Sequence, residues 1–226
     1  MVKRLIRIGK LLPILLLVLL IFTNKPILGI SCKYYLKRLK QRYSCSSGLI
    51  ITYKREMTSK SMDMLGNGMQ MDTAKGKMFL MSPYFFKILQ QYPTQEYIVT
   101  DGKHVWWYIP LKNIAYEYKA QKFSKELNIL KELFTGMINI TKNFHIICQQ
   151  KNHNNISLVL KPIKPWQDIE KISIGIDAKD FRIRFIKISN FFGSTTIFNF
   201  LNETKTHLKK EIFYFNPPQD VRIIKK

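Results

Sequence analysis

The sequence predicts an α+β fold, mainly antiparallel β: an incomplete, unclosed barrel or strongly curved sheet with a few α-helices over it. Three observations carry that expectation. Residues 76–110, GKMFLMSPYFFKILQQYPTQEYIVTDGKHVWWYIP, are dense in apolar and aromatic side chains and are cut by Pro83, Pro93 and Asp101-Gly102. That is the pattern of three or four short strands joined by tight turns. Later in the chain Ile172, Ile174 and Ile176 alternate with Ser173 and Gly175, and Phe181, Ile183 and Phe185 alternate with Arg182 and Arg184. A period of two marks half-buried strands. Residues 34–43 and 124–136 instead carry helical spacing. A sheet this long and apolar tends to curl over a core or a ligand.

The first 31 residues begin with Lys3, Arg4, Arg7 and Lys10, continue as an apolar run from Leu11 to Phe22, and break at Thr23-Asn24-Lys25-Pro26. The run is too short to span a bilayer comfortably, and Gly29 and Ser31 are small residues suited to cleavage before Cys32. Residues 1–31 therefore read as a secretory signal peptide, and residues 32–226 as one domain. The chain's formal charge is +22, and subtracting the five basic residues of the leader leaves +17. A field that strong attracts anionic lipid, acidic proteins or nucleic acid. The basic residues are scattered, however, and the chain is rich in Asn, Ile and Lys, so compositional bias is the simpler account.

The elements follow in order. Residues 34–43 place Tyr35, Leu36, Leu39 and Tyr43 on one face of a basic amphipathic helix. Residues 48–57 form a strand, and the polar stretch around Asp63, Gly66, Asn67 and Gly68 is a loop or the tip of a long hairpin. Met62, Met64, Met69, Met71, Met78 and Met81 crowd this region as core filler or as a deformable apolar lining. Residues 95–100 and 104–109 flank Asp101-Gly102, a hairpin signal because a type I′ turn needs positive φ at both central positions. Residues 114–120 pair back. Residues 124–136 form a helix with Ser124 as cap, Leu127, Leu130, Leu133 and Phe134 as its apolar face, and Gly136 as its stop. Strands at 143–150 and 156–160, a loop around Trp166, and a four-strand meander at 171–177, 181–189, 194–201 and 210–215 complete the domain. Pro217-Pro218 ends the sheet.

No side chains point to catalysis or to a cofactor. The chain has no Gly-rich phosphate loop, no nucleophile motif and no zinc-binding helix motif. Cys32, Cys45 and Cys148 contain no paired motif, and His104, His145, His153 and His207 are too dispersed for ligand spacing. Asp101 is better explained as a turn former than as a general base. An oxidising compartment allows a Cys32–Cys45 bridge across the first helix. Acylation of Cys32, as in a lipid-anchored protein, is the other use of that sulfur.

Gly76, Leu80, Pro83, Phe86, Tyr92-Pro93, Ile98-Val99, Asp101-Gly102-Lys103, Trp106 or Trp107, and Tyr108 stand in an order that resembles the periplasmic carriers of outer-membrane lipoproteins, the LolA family. Gly193 with residues 195–198, then Phe213-Tyr214-Phe215, Pro217-Pro218 and Val221, resembles the end of the same family. The resemblance covers most of the chain after residue 32. It implies an apolar cavity for acyl chains, walled by Met78, Leu80, Ser82, Phe86, Ile88, Ile98, Trp106 and Tyr108. Leu36 and Leu39 of the first helix and Leu130 and Phe134 of the second would form the lid. It implies a monomeric chaperone in the periplasm, with lipoproteins as cargo, an inner-membrane lipoprotein-releasing transporter as donor and an outer-membrane acceptor. No nucleic acid, metal or cofactor is expected. The family usually has Arg just before the Pro of its Leu-x-x-x-Pro motif, where it latches the lid; this chain has Ser82, which could form a weaker hydrogen bond, or a nearby Lys such as Lys87 could take over. Two alternatives remain: a membrane-anchored lipoprotein acceptor of the same fold, and a basic surface module that binds anionic lipid.

Overall fold

The computed structural model describes residues 32–44, 47–59, 72–120, 125–134, 140–152, 154–166 and 169–226. The predicted leader, Cys45, the predicted loop around Met62–Met71, Ser124 and Gly136 lie outside the described residues. Within the unit Cys32–Lys226 the helices are α1 (Cys32–Tyr43), α2 (Lys125–Phe134) and the single turn α3 (Ile140–Asn143).

Twelve strands form one sheet: β1 (Leu49–Thr58), β2 (Asp72–Met81), β3 (Phe85–Tyr92), β4 (Glu96–Thr100), β5 (His104–Ile109), β6 (Ile114–Lys119), β7 (Phe144–Asn152), β8 (Asn155–Pro162), β9 (Lys171–Asp177), β10 (Ile183–Ser189), β11 (Thr195–Lys205) and β12 (Arg222–Lys225). Their spatial order is β12-β6-β5-β4-β3-β2-β1-β11-β10-β9-β8-β7. Every pairing is antiparallel except β12 with β6. The predicted antiparallel, unclosed sheet with helices over it is therefore the observed architecture, with β12 and β7 as its two edges.

Most strands fall where their alternation predicts, because half-buried strands announce themselves by a period of two. Three details differ. The Asp101-Gly102 hairpin forms, but Gly102 alone of the pair has positive φ, at 94°. The connection is not type I′: the Asp101 carboxylate instead accepts the backbone N–H of Lys103 at 2.8 Å and of His104 at 3.0 Å. Residues 210–215 do not form the fourth strand of a meander. Lys210–Phe213 is a 3-10 turn, and the chain beyond it crosses the sheet as a strap. Nor does the sheet end at Pro217-Pro218, since β12 follows and pairs in parallel with β6, Arg222 opposite Ile114.

Gly76 has a steric role at the β2–β3 irregularity. A Cβ there would lie 2.1 Å from the Leu89 carbonyl oxygen. Only glycine permits that approach without moving the backbone.

Candidate functional site

Cross-strand partners share a face, so the register sorts the aromatic block into two sets. Leu49, Leu80 and Phe86 are successive partners, as are Ile51, Met78, Ile88, Ile98 and Trp107. Phe86 continues through Thr100 to Val105. This face looks toward the helices. Across β11 to β7 it continues with Phe198, Ile186, Ile174, Leu158 and Cys148.

The helices cover it with their apolar stripes. On α1, Tyr35, Leu39 and Tyr43 are buried, and Leu36 packs partly buried against the same core. On α2, Ile129, Leu130, Leu133 and Phe134 are buried. Phe134 joins the three layers: its ring stands edge-on to Tyr43 of α1 at 5.2 Å and to Phe200 of β11 at 5.1 Å. Among the described residues, α2 and the sheet line a pocket of about 20 Å³. It is lined by Phe86, Ile98, Thr100, Val105, Ala120, Asn128 and Lys131. That is room for about one water molecule, far short of an acyl chain.

Of the twelve residues predicted to line the site, ten lie on this face, on the helices over it or in its bounding turn. Leu36, Leu39, Met78, Leu80, Phe86, Ile88, Ile98, Leu130 and Phe134 belong to the one buried cluster or pack against it. Ser82 is half-buried in the turn after β2, at a cis peptide bond to Pro83. Trp106 and Tyr108 are the exceptions. They occupy the opposite parity of β5 from Val105 and Trp107, and point to the other side of the sheet. There Phe215 packs on both, with centroids 5.4 Å from Trp106 and 5.3 Å from Tyr108. Phe85 meets Phe213 at 5.4 Å and Tyr214 at 6.3 Å on the same side. The Phe213-Tyr214-Phe215 strap thus covers the outer face, and Trp107 is the indole on the inner one.

Lys87 also has outer parity, opposite Phe79 and Val99. It lies 6.0 Å over the Tyr97 ring, and burial pushes its ammonium pKa down. It is on the wrong side of the sheet to replace a lid latch.

The polar fastening of α1 lies elsewhere. Arg42 donates to Glu203 Oε1 and, at 3.0 Å, to the Asp180 carbonyl. The Tyr43 hydroxyl donates to Glu203 Oε2 at 2.8 Å and accepts the Ile183 N–H at 3.1 Å. The Glu203 side chain is only 6% exposed. Burial works against the Arg42 charge, but the Glu203 carboxylate outweighs it and raises the guanidinium pKa. At the other end of α1, Cys32 is bonded to Cys148 of β7, with a Cα–Cα separation of 5.5 Å. The predicted Cys32–Cys45 bridge is therefore replaced by one that ties α1 to the sheet edge. The same bond occupies the sulfur an acyl anchor would use. Sequence reasoning missed Glu203 and the Cys148 partner; neither carries a local motif.

Comparison with known proteins places these features. The family model described as "Outer membrane lipoprotein carrier protein LolA" matches residues 62–216, from the β1–β2 connection to the strap. An outer-membrane lipoprotein carrier protein of Haemophilus influenzae (strain PittEE) is 25% identical over 159 residues, spanning 70% of this chain and 74% of that one. The like-named protein of Francisella tularensis subsp. novicida is 29% identical over 152 residues, spanning 67% and 71%. Among solved structures, an uncharacterized conserved protein from Thermus thermophilus superposes with a TM-score of 0.54 over 86% of this chain and 98% of that one. At 11% identity this speaks for the fold alone. With a family model spanning well over half its length, this chain belongs to the LolA family of outer-membrane lipoprotein carrier proteins.

Proposed function

We propose that this protein is a periplasmic lipoprotein carrier whose inner face takes up acyl chains when α1 and α2 lift from it. The single observation that carries the reading is the continuous apolar surface from Leu49 through Met78, Leu80, Ile88 and Ile98, covered by two short amphipathic helices rather than by a second sheet. A helix cover can be displaced without breaking the sheet's hydrogen bonds.

The magnitudes favour reversible exchange. The helices bury Tyr35, Leu39, Tyr43, Ile129, Leu130, Leu133 and Phe134, and at about 2 kcal/mol for each this is on the order of 14 kcal/mol. An acyl chain of about a dozen methylenes gains on the order of 10 kcal/mol on leaving water. One acyl chain and the helices are thus competitors of similar strength for this surface, a condition under which a carrier both loads and unloads. The donor would be an inner-membrane lipoprotein-releasing transporter, and the recipient the outer membrane or an acceptor there. The Cys32–Cys148 bond makes a free carrier the better reading than an anchored acceptor.

Binding of a fluorescent acylated peptide tests this. The account expects saturable binding that survives raised salt, because hydrocarbon burial is not screened. Loss of binding at raised salt would favour a basic surface module instead.

A further inference from the structure

One end of the sheet presents apolar side chains to solvent beside lysines. Phe191 and Phe192 form the tip of the β10–β11 turn and are 60% and 78% exposed. The turn is well held. Asn190 N–H donates to the Ser194 carbonyl at 3.1 Å, Ser194 N–H donates to Asn190 Oδ1 at 2.8 Å, and Gly193 has a φ of 79°. Ser194 and Ser59 are linked through their hydroxyls at 3.3 Å, which ties the tip to the end of β1. Two aromatic rings are thus carried outward on a rigid turn, where a collapsed loop could have hidden them.

The neighbouring connections extend the feature. Met57, opposite Thr196 beside the tip, is 41% exposed, and Ile163 after β8 is 46% exposed. Glu170 N–H donates to the Ser189 carbonyl at 2.8 Å, and Ile163 N–H to the Asn143 carbonyl at 2.9 Å, so these segments form one rim. Lys142, Lys161 and Lys164 are exposed along it, with Lys171 half-exposed. Among the described residues, the acids beside it are each paired with a base: Glu170 with Lys171 at 3.3 Å, and Asp72, opposite Met57, with Arg55 at 2.9 Å. Asp177, Asp180 and Glu203 lie at the opposite end of these strands, engaged by Arg184, Arg182 and Arg42. Adjacent strands are about 4.8 Å apart, so the β8–β9 lysines stand roughly 10 Å from the aromatic tip, about one Debye length.

Exposed apolar groups rimmed by polar ones mark an interaction surface. A convex aromatic tip suits a soft partner that it can enter, and flanking lysines suit an anionic one. We infer that this rim docks the protein on an anionic lipid bilayer, with Phe191 and Phe192 among the headgroups and Lys142, Lys161 and Lys164 over their phosphates. Aromatic rings settle at that interface, and lysines are attracted to anionic lipid within a Debye length. The surface is distinct from the acyl-binding face and does not depend on cargo.

The test is co-sedimentation of cargo-free protein, processed as the cell processes it, with vesicles of phosphatidylcholine alone or mixed with phosphatidylglycerol. The expected result is preferential binding to the mixed vesicles. The double variant F191S/F192S lowers the partition coefficient about tenfold or more. K161Q/K164Q lowers binding to mixed vesicles about fivefold for each lysine removed. All four positions are exposed, so melting curves and acylated-peptide binding stay as in the parent protein; this separates the inference from the carrier reading. Absence of vesicle binding by the parent protein would overturn the inference. So would F191S/F192S binding like the parent, or equal affinity for both vesicle types.

Discussion

The Tyr43 hydroxyl, on the last residue of α1, donates to the Glu203 carboxylate at 2.8 Å across 160 positions of sequence. Arg42 grips the other oxygen of the same carboxylate. Two consecutive residues of a covering helix thus close on one buried acid of the sheet, and this contact holds the C-terminal end of α1 in place. Replacing Glu203 with Gln removes the charge while keeping the shape, and leaves a largely buried guanidinium without its counter-ion. The expected loss is about 2 kcal/mol, or about 4–8 °C in melting temperature for a domain of this size. Exchange of acylated peptide should accelerate as well. An unchanged melting temperature and exchange rate would show that α1 is held by packing alone.

Alkaline pH should loosen the same region. Burial, and then the neighbouring Glu203 charge, raise the Tyr43 hydroxyl well above its ordinary value of 10.0. Burial likewise pushes Tyr53 from 10.0 up to about 12. Both groups hold their protons more tightly folded than unfolded. Their contribution is complete below the unfolded value and is lost as pH rises past it toward the folded values. Stability should therefore fall with pH above about 10. Difference absorbance between the parent protein and Tyr53→Phe should place that phenolate near 12. Ionisation of Tyr53 at its ordinary value in a folded protein would contradict the burial seen here.

The Cys32–Cys148 bond predicts a specific thiol pattern. The chain has three cysteines, so alkylation of the denatured, unreduced protein should label Cys45 alone. Because the bond closes a loop with a sequence separation of 116, its loss in Cys148→Ser should cost about 2–4 kcal/mol. Peptide mapping that finds Cys32 linked to Cys45, or carrying a lipid, would refute the pairing.

The strap should matter for stability and not for cargo. Phe213 is 1% exposed on the outer side of the sheet. Truncation in Phe213→Ala should cost about 3 kcal/mol, yet leave acylated-peptide affinity unchanged below the melting transition. A selective loss of affinity would place cargo on the outer face.

How far the sequence could be read follows from the range of the interactions. Strand β9 is legible residue by residue, and the Asp101-Gly102 break marks where β5 begins, since alternation and turn residues are local signals. The 104–109 run was not legible in one respect. Trp106, Trp107 and Tyr108 supply large aromatic rings at both parities, so alternation could not say which faced the helices. Only the register with β4 and β6, and the strap beyond residue 213, decide it. That strap itself resembled a strand because both are apolar and aromatic. The Glu203 and Cys148 contacts join positions more than 110 residues apart, a distance over which a single sequence carries no pairing signal.

The most direct test of the carrier account is site-specific photocrosslinking in cells that make the protein with its lipoproteins. A photoreactive phenylalanine analogue would replace, one at a time, Phe86, Ile98 and Trp107 on the inner face and Trp106 and Tyr108 on the outer. The account predicts adducts with acylated lipoproteins from the first three positions and none from the last two. Adducts confined to Trp106 and Tyr108, or none at Phe86, Ile98 and Trp107, would contradict it.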